Sequence, residues 1–129
     1  MDERSAGRQG TALSAAFEPL EPGALIWIEF DPVVGREQSG WRPALVVSPV
    51  EFHQASGFTM VCPITSRVRP FPSSVVLDAG LEVAGEILTS HLRSVDTLER
   101  KIRRTGQLVP PDVLEDVRAR LAGLLGIRF

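Results

Sequence analysis

Short runs of strand-forming residues, separated by turn residues, recur between residues 24 and 96 of this 129-residue chain. The runs are rich in β-branched and aromatic residues, which favour extended backbone in a partly buried sheet. Several short strands that recur at such intervals predict a small β-barrel or a sandwich. The predicted strands cover residues 24–30, 43–49, 58–65, 73–78, 85–90 and 92–96.

One of these runs contains a proline in its interior. Pro63 lies inside the predicted strand at 58–65. Because proline has no N–H to donate to a neighbouring strand, we expect it at a sheet edge or at a bulge.

The last segment changes from a strand period to a helical one. "PDVLEDVRARLAGLLG" has a proline and acidic residues at its start and Gly126 at its end, so it predicts a helix over residues 111–126. Its apolar residues form one stripe that packs either on the protein's own core or in a dimer interface, and both remain open here. The stripe consists of Val113, Leu114, Val117, Leu121, Leu124 and Leu125.

The first 21 residues differ in composition from the rest of the chain. Residues 1–21 are polar and rich in glycine, serine and alanine, so we expect a flexible tail followed by one folded domain over 22–129. No apolar run approaches the roughly 20 residues that span a bilayer, and the start does not resemble a signal sequence. We therefore expect a cytoplasmic protein that has no membrane partner.

Composition narrows the possible chemistry. Cys62 is the only cysteine, so an intrachain disulfide and a multi-cysteine zinc site are excluded, and its apolar neighbours predict a buried, inert thiol. The formal net charge of −2 argues against binding nucleic acid by bulk charge alone. The chain has no glycine-rich phosphate loop, dinucleotide fingerprint or zinc-protease motif, so we expect no cofactor and no metal. A mechanism that pairs His53 with His91 requires the fold to bring two distant residues together.

What remains is an arginine and a hydroxyl. Arg42 lies in "GWRP" at the start of one predicted strand, and Thr65 ends another in "PIT". If these strands are neighbours, the guanidinium and the hydroxyl can converge on one phosphate. On spacing alone, structural roles are favoured: an ion pair of Arg42 with Glu37 and a strand-end cap by Thr65.

Five segments, "PGALIWIEFDP", "GREQSGWRPALVVSP", "CPITSR", "PFPSSVVL" and "LTSHLRSVD", follow one another in this order. In this combination the chain resembles the MazF/PemK (CcdB-like) toxin family over roughly residues 22–126. The resemblance implies a small SH3-like β-barrel with a C-terminal helix, a mainly β fold that forms a homodimer. It also implies metal-independent, sequence-specific cleavage of single-stranded RNA, above all mRNA, and inhibition by a cognate MazE-like antitoxin that lays an acidic segment across the RNA groove.

By this resemblance, the family's catalytic arginine and threonine fall on Arg42 and Thr65, and a supporting acid falls on Glu37. The implied reaction is attack of the ribose 2′-OH on the adjacent phosphate, which gives a 2′,3′-cyclic phosphate and a 5′-OH. Two alternatives are a toxin that binds a target such as DNA gyrase without cleaving anything, and an inactive interaction module.

Substrate contacts are less specific. The family's usual aspartate near the groove is Ser90 here, so base preference is not determined by the resemblance. Trp41 either stacks on a base or anchors its loop, and His91 either contacts a base, assists proton transfer or packs. The other candidate RNA contacts, with a solvated surface role as the equal alternative, are Ser66, Arg67, Arg69 and Arg93.

Overall fold

The computed structural model describes residues 18–30, 40–69, 72–78 and 80–128. The expected mainly β chain with a C-terminal helix is confirmed, and its antiparallel sheet curls into a half-barrel. In chain order the elements are β1 (Ala24–Glu29), β2 (Trp41–Val46), α1 (Val50–Ser56), β3 (Phe58–Thr65), β4 (Val75–Leu77), β5 (Gly85–Ile87), a 3-10 turn (Thr89–His91), β6 (Arg93–Asp96), β7 (Ile102–Leu108) and α2 (Pro111–Leu124).

The sheet is organised around β3. Its strand order is β4-β5-β3-β2-β1-β7, and β6 also pairs with β3. One side of β3 faces β2, while the other side faces β6 along residues 58–61 and β5 at residues 64 and 65. The end of β3 therefore lies where β2, β5 and the chain entering β6 meet.

Both faces of this sheet are apolar, which explains why its strands read as nearly continuous hydrophobic runs. Side chains alternate between the faces with a period of two residues. The first core face carries Leu25, Leu45, Cys62 and Ile64. The second core face carries Ile26, Ile28, Ala44, Val46, Val61 and Val95.

Cys62 lies on the first core face and is fully buried. Burial raises the pKa of its thiol to about 12, because the thiolate would lose its hydration. The expected burial of the cysteine is confirmed, and the raised pKa is consistent with an inert thiol.

Helix α2 covers the first core face. It begins at Pro111, as the sequence predicts, and it buries Val117 and Leu121 against the sheet. The apolar stripe is only partly covered, since Leu124 and Leu125 near the helix end remain 50% and 66% exposed. The first half of the predicted stripe is thus intramolecular core, while the second half faces outward in the single chain.

Pro63 lies in an inner strand rather than at an edge or a bulge. It pairs with Ala44 of β2, and its carbonyl accepts a hydrogen bond from the Leu88 N–H on the opposite side. Because the N–H and C=O of a strand residue point the same way, the missing donor faces the gap between β6 and β5. The sheet accepts a central proline because the partner strand changes at that position.

The packed region begins before the expected boundary at residue 22. Leu20 is buried among the side chains of the second core face, and its N–H donates to Nδ1 of His53 at 2.9 Å. Nε2 of His53 lies 2.9 Å from the Thr97 hydroxyl, which itself donates to the Gly57 carbonyl. Nε2 must therefore donate, so His53 of α1 is a neutral histidine that joins residue 20 to the residue that follows β6.

Strand β7 and helix α1 are absent from the sequence prediction. β7 is an edge strand whose residues are half-buried or exposed, so it lacks the apolar alternation on which the prediction depends. α1 has seven residues, too few for a helical period to stand out. Neither helix described by the structure is long and apolar enough to cross a membrane.

Candidate active site

A groove of about 270 Å³ opens at one end of the second core face. On several strands, the residue two positions beyond a buried member of that face reaches the groove wall. Val61 is followed in this way by Pro63 and then Thr65, and Val95 is preceded by Arg93. The groove is thus the solvent-facing end of a core face. Its walls are Phe30, Arg42, Pro63, Ile64, Thr65, Leu88, His91 and Arg93.

Arg42 and Thr65 lie two residues beyond the last residue pair that joins two neighbouring strands. β2 and β3 pair in the register Ala44↔Pro63, and extending this register by two residues puts Arg42 opposite Thr65. Opposite residues of an antiparallel pair project from the same face of the sheet. The two side chains could converge only if their strands were neighbours, and the structure shows that they are. Both side chains line the groove.

The Thr65 hydroxyl is oriented by the turn that follows it. Its Oγ1 accepts the backbone N–H of Arg67 at 3.2 Å. Since this bond uses a lone pair of the oxygen, the hydroxyl hydrogen is left to donate to a ligand in the groove. Together with the exposed guanidinium of Arg42, it makes a set of donors suited to an anion.

The opposite wall adds a second cation. The guanidinium of Arg93 lies over the ring of Phe30, 4.8 Å from its centroid, so a buried aromatic residue holds the arginine in place. His91, on the 3-10 turn, is exposed at the same wall. The pairing of His53 with His91 does not occur, because His53 is buried in contacts with Leu20 and Thr97.

The other sequence candidates lie outside this groove. Trp41 precedes Arg42 in β2, so its side chain leaves the opposite face of the strand. Ser66, Arg67 and Arg69 are exposed on the segment after β3, near the groove but not in its walls. Glu37 falls outside the described residues.

The apolar walls of the groove and the neighbours of Thr65 on β5 were not predicted from the sequence. Phe30 and Leu88 read as ordinary core residues, and only strand pairing shows that they end at the groove. Glu86 carries a signal that could have been used, because it is a charged residue inside the apolar run "GEIL". The structure buries it directly across from Thr65 in the β3–β5 pair.

Comparison with known proteins gives consistent matches. Residues 21–125 match the model of a family described as PemK-like, MazF-like toxin of type II toxin-antitoxin system. The endoribonuclease toxin MazF of Escherichia coli K12 is 36% identical over 104 residues, which cover 81% of this chain and 92% of that protein.

Solved structures agree. The crystal structure of MazF from Deinococcus radiodurans superimposes with a TM-score of 0.74 and 41% identity, covering 84% of this chain and 98% of that one. A MazE-MazF complex from the same organism gives a TM-score of 0.74 and 37% identity, covering 85% and 98%.

Proposed function

Since the chain belongs to the family of PemK-like, MazF-like toxins of type II toxin-antitoxin systems, we propose that its groove is the site at which this endoribonuclease cleaves single-stranded RNA. The observation that carries the proposal is that Arg42 and Thr65 line one groove, on neighbouring strands whose register, continued beyond Ala44↔Pro63, puts the two residues opposite each other. mRNA in the cytoplasm is the proposed substrate, and its cleavage would stop translation and growth.

The proposed reaction uses a nucleophile that belongs to the substrate. The ribose 2′-oxygen attacks the adjacent phosphorus, the bond from phosphorus to the 5′-oxygen breaks, and the products are a 2′,3′-cyclic phosphate and a 5′-OH. The 2′-proton is lost and the leaving oxygen gains one, so the reaction needs no net proton. It requires no metal-bound water, and it selects RNA because DNA lacks the 2′-OH.

Arg42 and Thr65 act in this scheme on the charge that develops at phosphorus. The guanidinium offers forked N–H donors to the phosphate oxygens, and the Thr65 hydroxyl adds a further hydrogen bond. Stabilisation of charge is the main role that we assign to Arg42, because a guanidinium does not readily release a proton near neutral pH. Glu37 and His91 are the proposed assistants in proton transfer.

Substrate binding is assigned to the rest of the cationic surface. Arg93, held over Phe30, is placed to contact a phosphate or to stack on a base, and His91 lies beside it. Ser66, Arg67 and Arg69 extend the same edge beyond Thr65. Trp41 is kept as a contact for RNA that leaves the groove toward the other face of β2.

The test is cleavage of a long, mixed-sequence RNA by purified protein in EDTA, with the ends mapped chemically. We expect discrete cuts with 5′-OH and cyclic phosphate ends. An oligonucleotide carrying 2′-deoxyribose at a mapped cut should resist cleavage, whereas the same substitution one nucleotide away should leave that cut in place. Cleavage that requires a metal, or that proceeds at the 2′-deoxy position, would contradict the proposed reaction.

The proposed assembly is a homodimer that a MazE-like antitoxin inhibits through an acidic segment. Leu124, Leu125 and Ile127 are 50–66% exposed at the end of α2, an apolar surface that a second copy would cover. The cationic groove suits an acidic segment. Light scattering should give a dimer mass for the toxin alone, and added antitoxin should bind it and stop RNA cleavage. A monomer mass would contradict the dimer, and undiminished cleavage by the complex would contradict the inhibitory contact.

A further inference from the structure

Glu86 is a carboxylate buried beside the proposed site. It is 1% exposed and lies in β5 between Gly85 and Ile87, which are also buried. One carboxylate oxygen, Oε1, accepts the backbone N–H of Arg69 at 2.8 Å, and Oε2 accepts the Ser74 hydroxyl. Both oxygens thus hold donors from the segment that connects β3 to β4.

That segment begins immediately after Thr65. Arg69 lies four residues after Thr65 and Ser74 immediately precedes β4, so the single side chain of Glu86 holds two separate points of the segment. Other elements hold the same segment: Thr89 donates to the Ser73 carbonyl at 2.6 Å, and Arg120 of α2 donates to the Pro72 carbonyl at 2.8 Å. The same segment contacts the proposed site directly, because the N–H of Arg67 donates to the Thr65 hydroxyl oxygen and orients it.

Stability alone gives little reason for a charge at this position. Taking a carboxylate out of water is unfavourable, and well-packed apolar residues often replace whole buried ion pairs without loss of stability. A carboxylate does differ from an apolar side chain in geometry, because its two oxygens fix where a backbone N–H and a hydroxyl must lie. What Glu86 provides is therefore a fixed position for the segment that it holds.

We propose that Glu86 is a positioning residue for RNA cleavage: it fixes the segment after β3 so that the Thr65 hydroxyl points into the groove and Arg67 and Arg69 border it. The inference rests on the proposed function, since it assigns a role to Thr65 in the reaction. Glu86 itself is buried and does not touch the substrate.

Two variants separate geometry from charge. In Glu86→Gln, the amide oxygen accepts the Arg69 N–H and the amide nitrogen donates to the Ser74 oxygen, so the turn is kept. In Glu86→Met, an apolar side chain of similar length fills the space but accepts neither bond. We expect kcat to stay within about twofold of wild type for the first variant and to fall about tenfold to hundredfold for the second, with KM less affected.

A matched control is Thr59→Val. Thr59 is buried in β3 and shares a hydrogen bond of 3.1 Å with Ser48, but it does not line the groove. It should lower Tm without lowering kcat when assayed well below Tm. Amide hydrogen exchange supplies a readout besides activity, because the Arg69 N–H should exchange faster in Glu86→Met and remain protected in Glu86→Gln.

Three results would overturn the proposal. Wild-type kcat in a folded Glu86→Met protein would show that the carboxylate is not needed to place Thr65. Equal loss of kcat in Glu86→Gln and Glu86→Met, with the Arg69 amide protected in both, would assign the effect to charge instead. If the wild-type protein does not cleave RNA at all, the proposed function fails first and the role of Glu86 fails with it.

Discussion

Arg42→Ala should lower the rate of RNA cleavage by about 10²–10³-fold, the usual loss when one preorganised donor to a transition-state anion is removed. The side chain is exposed at the groove, so its removal should change the free energy of unfolding by no more than about 0.5 kcal/mol. The measurement is single-turnover cleavage of one defined RNA, accompanied by thermal unfolding of both proteins.

Two further variants sharpen this result. Arg42→Lys keeps a positive charge but loses the planar fork of donors, so it should recover only part of the activity. Arg103→Ala is the matched control, because Arg103 is an exposed arginine of β7 that does not line the groove. If Arg42→Ala cleaved RNA at the wild-type rate, Arg42 would have no role in the reaction. If that variant stopped cleaving but remained as toxic in cells, the toxin would act by binding a target.

Gly85→Ala should damage the site from the neighbouring strand. Gly85 has φ +140°, and a Cβ built there would lie 2.2 Å from the carbonyl oxygen of Thr65 and 2.9 Å from its carbonyl carbon. Backbone atoms must move to relieve that contact, and they belong to a proposed catalytic residue. We expect kcat to fall about 10²-fold and the protein to be destabilised by about 1–3 kcal/mol.

Gly80→Ala separates the two causes. Gly80 also has a left-handed conformation, φ +123°, but a Cβ there meets no atom within 4 Å. It should therefore show the destabilisation expected from backbone strain with kcat unchanged. Equal loss of kcat in both variants would mean that the contact with Thr65 is not the cause, and full activity in Gly85→Ala would show that the end of β3 tolerates displacement.

Much of the fold and the centre of the site could be predicted from the sequence. The runs that form β1 to β6 are rich in apolar and β-branched residues, because much of each strand is buried. Helix α2 begins with a proline and has an apolar stripe. The family resemblance predicts Arg42 and Thr65 as the central pair of the candidate site, whereas their spacing alone favours structural roles, and their approach across β2 and β3 depends on strand pairing.

The remainder depends on contacts that the sequence does not display. β7 is an edge strand with exposed arginines, so it needs no apolar alternation. In the sequence Leu20 belongs to a polar stretch, yet its side chain packs in the second core face. Its backbone N–H also donates a hydrogen bond to His53. The effect of Glu86 depends on which segment folds over it.

Pro63 gives the site a property that no other groove residue supplies. A sheet can repair a gap when neighbouring strands slide or extend until their free N–H and C=O groups meet. At this position the chain has no N–H to offer, and the carbonyl is already taken by the Leu88 N–H. Neither β5 nor β6 can extend its pairing with β3 through an N–H at this position, so the break between the two ladders is built into the covalent structure of one residue.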